Sequence, residues 1–254
     1  MRTLLVILSL LVFVPAAGAV GPWLGVATNG EGYQVSYTGN ATRIGGITLA
    51  GEWGIPRVTA SSDGGVGGLS ADERTLVLAQ QPHPTNDGVV HNSSFLVLRT
   101  KPLRVVQTVK LQGDFGFDAL SPHGGTLYLI QHLLDEGTFR YRVRAYDLVA
   151  HRLLPGVIAD KTQRDWLMNG FPVTRATSPG GRWVYTLYSN PDNYPFVHAL
   201  DTVKRTAVCI GIPLNWTTNQ AKVIDNATLR VKGNELLLSS GFAINRTTFR
   251  VAQT

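Results

Sequence analysis

The stretch LSPHGGTLYL, from Leu120 to Leu129, has two further copies in this chain. They are LSADERTLVL, from Leu69 to Leu78, and TSPGGRWVYT, from Thr177 to Thr186. The serines at the second position of each copy lie 51 and 57 residues apart. A period of this length is typical of architectures that repeat one small structural unit.

Each copy belongs to a series of strand-like runs with alternating apolar and polar residues and with turn residues between them. The middle series contains runs at 115–120, 126–132, 141–146 and 153–158, and the last contains runs at 172–177, 183–188, 196–200 and 207–212. Successive four-stranded units predict an all-β fold of the β-propeller type. Within it, Trp183 and Tyr185 alternate with Val184 and are expected to face a core between blades.

The two ends of the chain resemble incomplete copies of the same unit. Runs at 23–28, 33–37 and 43–49 predict a blade without its innermost strand. Runs at 227–231, 236–239 and 248–251 predict a blade without its outermost strand. We therefore expect five blades with incomplete terminal blades, arranged either as a closed ring or as an open one.

Two runs carry a family resemblance. VRAYDLVAHRLLPGVI, from Val143, and VHALDTVKRTAVCIGIP, from Val197, each follow a Ser-Pro-x-Gly hairpin and an aromatic strand. This order resembles the YVTN-type, WD40-like propeller repeat over about residues 66–251. The resemblance implies a secreted bacterial family of unassigned function. The chain departs from it at Asp72-Glu73, where the repeat has Asp-Gly, so we expect the first hairpin to be the most irregular.

The first 19 residues have the pattern of a secretory signal peptide. Arg2 provides positive charge, Leu4–Val14 is apolar, and Ala17-Gly18-Ala19 provides small residues for cleavage. The apolar run is shorter than the roughly 20 residues that a membrane helix needs, although an uncleaved anchor is the alternative. We expect residues 20–254 to form one propeller domain that is secreted and has no stable membrane span after signal cleavage.

Charge and cysteine content restrict the partners. The chain has 23 basic and 17 acidic residues, for a formal net charge of +6, and the basic residues are scattered. This pattern argues against nucleic acid and suits an unknown protein or an anionic envelope polymer as partner. Cys209 is the single cysteine, which excludes an intramolecular disulfide and favours an inert buried thiol.

Enzyme motifs are not found, and the six histidines are spread over different repeats. We therefore expect no cofactor, no metal site and no catalytic residues. The predicted function is a secreted, non-catalytic binding or interaction module on a propeller platform. The alternatives are a propeller hydrolase or lactonase-like enzyme, which the family resemblance implies, and an envelope scaffold.

Asp118 and Arg175 are the first pair of candidate binding residues. Each lies three residues before a repeated hairpin serine, Ser121 or Ser178, and so occupies the same position in adjacent innermost strands. Innermost strands line the central channel of a propeller. The two side chains are expected to form a structural ion pair or, alternatively, to anchor a small ligand.

Arg140, Arg142 and Arg144 form the second candidate group. In a strand they share one face, and Tyr141 and Val143 lie on the other. This arginine ladder either keeps the sheet soluble or contacts an anionic polymer. By contrast, the repeated Asp147 and Asp201 are interpreted as turn residues, because one active site does not need the same acid in consecutive blades.

Overall fold

The computed structural model describes residues 23–28, 33–39, 42–56, 67–80, 85, 88–133, 140–160, 167–189, 194–214 and 223–254. Side-chain environments are described from residue 47 onward. The proposed signal peptide, residues 1–19, lies outside these ranges. Within them, no helix has the length and apolar character needed to cross a bilayer.

The first two sheets are antiparallel and follow chain order. The first contains β1 (Trp23–Thr28), β2 (Tyr33–Gly39) and β3 (Thr42–Leu49). The second contains β4 (Trp53–Gly54), β5 (Thr75–Gln80), β6 (Asn92–Thr100) and β7 (Leu103–Gln112).

The other three sheets repeat this arrangement. The third contains β8 (Phe115–Leu120), β9 (Thr126–Leu133) and β10 (Arg140–Asp147), with β11 (Arg152–Leu153) and β12 (Met168–Asn169) both paired to β10. The fourth contains β13 (Phe171–Thr177), β14 (Trp183–Ser189), β15 (Phe196–Asp201) and β16 (Thr206–Gly211). The fifth contains β17 (Leu229–Lys232), β18 (Glu235–Leu238), β19 (Phe242–Asn245) and β20 (Val251–Gln253).

This is an all-β propeller architecture with five sheets, as the sequence predicted. The first sheet has three strands, and no strand described in it pairs with the fifth sheet, consistent with an open ring. The fifth sheet differs in one detail, because it has four strands where three were expected. The strand that the sequence analysis did not predict is β19.

Each pair of neighbouring sheets encloses one apolar cluster. Strand β14 shows how alternation produces two of them. Tyr185 and Leu187 pack against the fifth sheet, whereas Val184 and Tyr188 pack against the third. Tyr185 is fully buried, as expected, but Trp183 is only partly buried at the edge of the same cluster. The core is therefore divided among the spaces between sheets.

The three repeated hairpins close in the same way. Backbone N–H groups donate to the serine hydroxyl oxygens at 3.0 Å for Thr75 to Ser70, 2.9 Å for Thr126 to Ser121 and 2.9 Å for Trp183 to Ser178. The residue three positions after each serine has a positive φ: 58° at Glu73, 66° at Gly124 and 74° at Gly181. The expectation of an irregular first hairpin is therefore wrong, because Glu73 adopts the backbone conformation that glycine adopts in the other two.

In three of the sheets, the connection between the third and the fourth strand is the same type of turn. Oδ1 of Asp147 accepts from the N–H groups of Val149 and Ala150, at 2.9 and 2.8 Å. Asp201 and Asn245 each accept two N–H groups in the same pattern. These bonds to Val149 and Ala150 hold the pKa of Asp147 below its usual value. The interpretation of Asp147 and Asp201 as turn residues is confirmed.

The inner hairpins of the second, third and fourth sheets contact one another. The N–H of Asp72 donates to the carbonyl of Pro122 at 3.1 Å. A Cβ added at Gly181 would lie 2.6 Å from the Cβ of Ala71, so the hairpins of the second and fourth sheets also meet. The three hairpins thus gather at one end of the sheets.

Candidate functional site

A cleft of about 540 Å³ lies between the second and third sheets. It is at the end opposite the inner hairpins, where β5 ends at Gln80, β6 begins at Asn92 and β8 begins at Phe115. Its apolar lining includes three phenylalanines: Phe95, Phe115 and Phe117. A concave apolar surface with a few polar groups is typical of a small-ligand site.

The polar lining of this cleft is built around Asp114 and His132. Nδ1 of His132 lies 3.2 Å from Oδ2 of Asp114, and the backbone N–H of His132 donates to the carbonyl of Asp114 at 2.9 Å. The histidine side chain is 46% exposed, so it is available to a ligand in the cleft. His91 and Asn92, at the start of β6, also line the cleft.

Ser93 also lines the cleft and, with Asp114 and His132, invites comparison with a Ser-His-Asp triad. Its hydroxyl, however, donates to the carbonyl of Gly113 at 2.9 Å and accepts from the N–H of Phe115 at 2.8 Å. A nucleophilic serine would instead hydrogen-bond to the histidine. Ser93 therefore fixes the segment that leads into β8 and is not arranged as a nucleophile.

Asp118 and Arg175 are in contact across the third and fourth sheets. Nη2 of Arg175 donates to the carboxylate of Asp118 and Nη1 donates to its backbone carbonyl. Nε of the same arginine lies 3.2 Å from the hydroxyl of Thr186. Asp118 is 3% exposed and Arg175 is 7% exposed, so the pair is buried in the structure. Its role as a ligand anchor stays a prediction.

Arg175 begins a row of polar residues that crosses the fourth sheet. Register pairs Arg175 with Thr186, Thr186 with His198, and His198 with Cys209. Side chains paired in this way lie on one face of a sheet, here the face toward the third sheet. Burial lowers the pKa of His198 to about 4, so the imidazole is neutral at pH 7. Burial also raises the pKa of Cys209, which is partly buried, to about 12, and this disfavours the reactive thiolate at pH 7.

The arginine ladder lies on β10, with the alternation that the sequence predicted. Arg140 is exposed, Arg142 and Arg144 are partly buried, and Tyr141 and Val143 are buried on the other face. Nη1 of Arg144 donates to Oε1 of Gln131 at 2.8 Å, and Nη2 donates to the carbonyl of Leu154 at 3.2 Å. A contact between the ladder and an anionic polymer stays a prediction.

Sequence reasoning missed the cleft. Its polar groups come from the ends of separate strands, and their spacing matches no motif. His132 belongs to the alternating pattern of β9, and nothing in that pattern indicates that Asp114 lies beside it. In the described ranges, no three His, Cys, Asp or Glu residues are grouped as a metal site.

Three solved structures are similar to this chain, one of them with a TM-score above 0.5. Dihydro-heme d1 dehydrogenase NirN in complex with DHE is 13% identical, with a TM-score of 0.51, over 92% of this chain and 43% of that one. The Dos1 propeller is 12% identical, with a TM-score of 0.44, over 87% of this chain and 53% of that one. The propeller domain of the Trilobed protease from Pyrococcus furiosus is 7% identical, with a TM-score of 0.45, over 74% of this chain and 48% of that one.

The chain thus spans less than two thirds of each of these structures, and identities this low describe the fold alone. No family model and no curated protein matches the sequence. The class of protein that the fold defines is the β-propeller.

Proposed function

We propose that this protein is a secreted, non-catalytic binding module whose ligand occupies the cleft between the second and third sheets. The observation that supports this proposal is the cleft itself, in which Phe95, Phe115 and Phe117 lie beside Asp114 and His132. Apolar rings provide contact area, and the few polar groups orient the ligand.

Binding is preferred to hydrolysis because of the serine at this site. The hydroxyl of Ser93 is engaged with two backbone groups, and its bonds would have to break before it could attack a substrate. The pair of Asp114 and His132 has a second use in a binding site. Its imidazole ring and its carboxylate can both form hydrogen bonds with a polar ligand.

A variant that fills the cleft tests the proposal. Gly116 lines the cleft and has no positive φ, and a Cβ there would lie 3.7 Å from Cε1 of His132. Gly116→Leu is therefore expected to place its side chain against His132, at the polar part of the cleft lining, without backbone strain. The matched control is Gly211→Leu, in β16, because a Cβ there meets nothing within 4 Å.

Ligand-observed NMR with a library of small polar aromatic compounds gives the measurement. We expect compounds that bind the native protein to lose binding to Gly116→Leu and to keep it in Gly211→Leu. Equal binding to both variants would place the ligand elsewhere. Turnover of ester or lactone compounds by the native protein, lost in His132→Ala, would instead establish the hydrolase alternative.

We further propose that the repeats are of the YVTN type and that the chain is exported. The serine hairpins at Ser121 and Ser178 and the turns at Asp147 and Asp201 occur in the order of that repeat. Export predicts a mature chain that begins near Val20. N-terminal sequencing of protein from the culture medium or the cell envelope would detect it, and an intact Met1 form in the membrane would contradict it.

A further inference from the structure

The arginine ladder shares a sheet face with the aromatic lining of the cleft. Register pairs Phe115 with Gln131 and Gln131 with Arg142, and it pairs Phe117 with Leu129 and Leu129 with Arg144. Side chains paired across antiparallel strands lie on the same face. Leu129, Phe115 and Phe117 belong to the cluster between the second and third sheets, so this face is directed at the second sheet.

A hydrogen bond gives the same orientation independently. Tyr146 lies two residues after Arg144 on the same face of β10, and its hydroxyl accepts from Nε2 of Gln107 in β7 of the second sheet, at 3.3 Å. Arg142 is two strands outward from Phe115. Because neighbouring strands lie about 4.8 Å apart, the two Cα atoms are separated by roughly 10 Å.

Among the residues that the structure describes, no carboxylate forms an ion pair with Arg142 or Arg144. The ion pairs in the described ranges involve other residues, and the Nε atoms of both arginines are buried there without a hydrogen-bond acceptor. Burial lowers the pKa of the Arg144 guanidinium, and the positive charge of Arg142 lowers it further. Two adjacent guanidinium groups with unused donors favour an anion as their partner.

We propose that the ligand of the cleft is an amphipathic anion, with an apolar part against Phe95 and Phe115 and a carboxylate, sulfonate or phosphate group bound by Arg142 and Arg144. This inference rests on the proposed function and specifies the chemistry of its ligand. Arginine suits this role because its planar fork of donors matches the oxygens of such groups. The alternative is a ladder that only keeps the sheet soluble.

Two fluorescent probes separate the anionic and apolar contributions. 8-Anilinonaphthalene-1-sulfonate has a sulfonate group, and N-phenyl-1-naphthylamine has the same aromatic system without it. Arg142→Gln is the primary variant, because Nε of this guanidinium has no hydrogen-bond partner in the described part of the protein. Arg142→Gln combined with Arg144→Gln removes both charges. The control is Lys232→Gln combined with Arg250→Gln, two exposed cations near the fifth sheet.

We expect the native protein to bind the sulfonate at least about tenfold more tightly than its neutral analogue, because bonds to charged groups are the stronger ones. The double arginine variant should lose that preference and keep its affinity for the neutral probe, and Gly116→Leu should weaken both. The control variant should bind both probes as the native protein does.

Three results would overturn the inference or its basis. Unchanged sulfonate affinity in the arginine variants, with Gly116→Leu still blocking both probes, would refute the anion site and leave the proposed function intact. An equal loss of both probes in Arg142→Gln would show that the arginine shapes the cleft and holds no anion. Failure of both probes to bind the native protein, or binding that Gly116→Leu does not alter, would contradict the proposed function itself.

Discussion

Arg175 binds Asp118 twice, once through the carboxylate and once through the backbone carbonyl of the same residue. Because Asp118 lies in β8 and Arg175 in β13, these bonds join the innermost strands of the third and fourth sheets. Asp118 lies at an irregularity in register between Phe117 and Ala119. The backbone of β8 is thus displaced at the residue that the arginine binds.

Removing one member of this pair should destabilise the protein strongly. Asp118→Asn or Arg175→Met leaves a buried charge without its partner, which typically costs about 3–5 kcal/mol of the free energy of unfolding. The double variant should recover part of that loss. Chemical denaturation of all four proteins measures the cycle. Single variants with unchanged stability but lost ligand binding would support the ligand-anchor interpretation instead.

Tyr185 should matter more to stability than Trp183, although the two rings stack with centroids 6.2 Å apart. Tyr185 is 0% exposed and Trp183 lies at the cluster edge beside Phe249. Tyr185→Ala should cost roughly 3–5 kcal/mol because it leaves a cavity. Trp183→Ala should cost roughly 1–2 kcal/mol because only part of its ring is removed from water. Thermal melts that rank the two variants the other way would contradict this assignment of burial.

His151→Gly should stabilise the protein. His151 has a φ of 54° in the turn that Asp147 begins, and its side chain is exposed. Glycine adopts this conformation without the steric penalty of a Cβ, and we expect a gain of roughly 0.5–1 kcal/mol. The control is His151→Ala, which removes the imidazole and keeps the Cβ. Equal stabilisation by both changes would assign the effect to the imidazole.

His198 should make the fold sensitive to mild acid. Burial lowers its pKa from 6.5 to about 4. The negative charge of Asp118 raises this pKa and the positive charge of Arg175 lowers it, and both effects are smaller than that of burial. Above pH 6.5 the imidazole is neutral in both states. Between pH 6.5 and 4 the unfolded chain binds a proton that the folded protein excludes. The free energy of unfolding therefore decreases as the pH decreases through this range.

The slope of that loss is about 1.4 kcal/mol per pH unit, for a total of roughly 3 kcal/mol. Denaturant titrations of the native protein and of His198→Gln, at half-unit steps of pH, isolate this contribution as the difference between the two curves. Parallel curves from pH 7 to 4 would show that the imidazole is not excluded from protonation in the folded state.

The sequence predicted the features that depend on the same few residues in each repeat. Ser121 and Ser178 occupy equivalent positions in their repeats. The same alignment of repeats predicted that Asp118 and Arg175 lie side by side, and the two residues form an ion pair. Glu73 shows the limit of this reasoning, since its hairpin keeps the common conformation through backbone bonds that its side chain does not reveal. The cleft could not be predicted, because Ser93 and His132 come to line one cleft only when two sheets pack, and packing leaves no fixed spacing in the chain.

The contact of Gly181 with Ala71 gives the molecule two unlike ends. At one end the hairpins are pressed together, and a side chain larger than hydrogen at Gly181 would force them apart. At the other end the sheets diverge enough to leave the cleft. If the protein is immobilised or fused through the hairpin end, its cleft therefore stays open to the solvent. Attachment at one end would then leave a ligand in the cleft accessible at the other end.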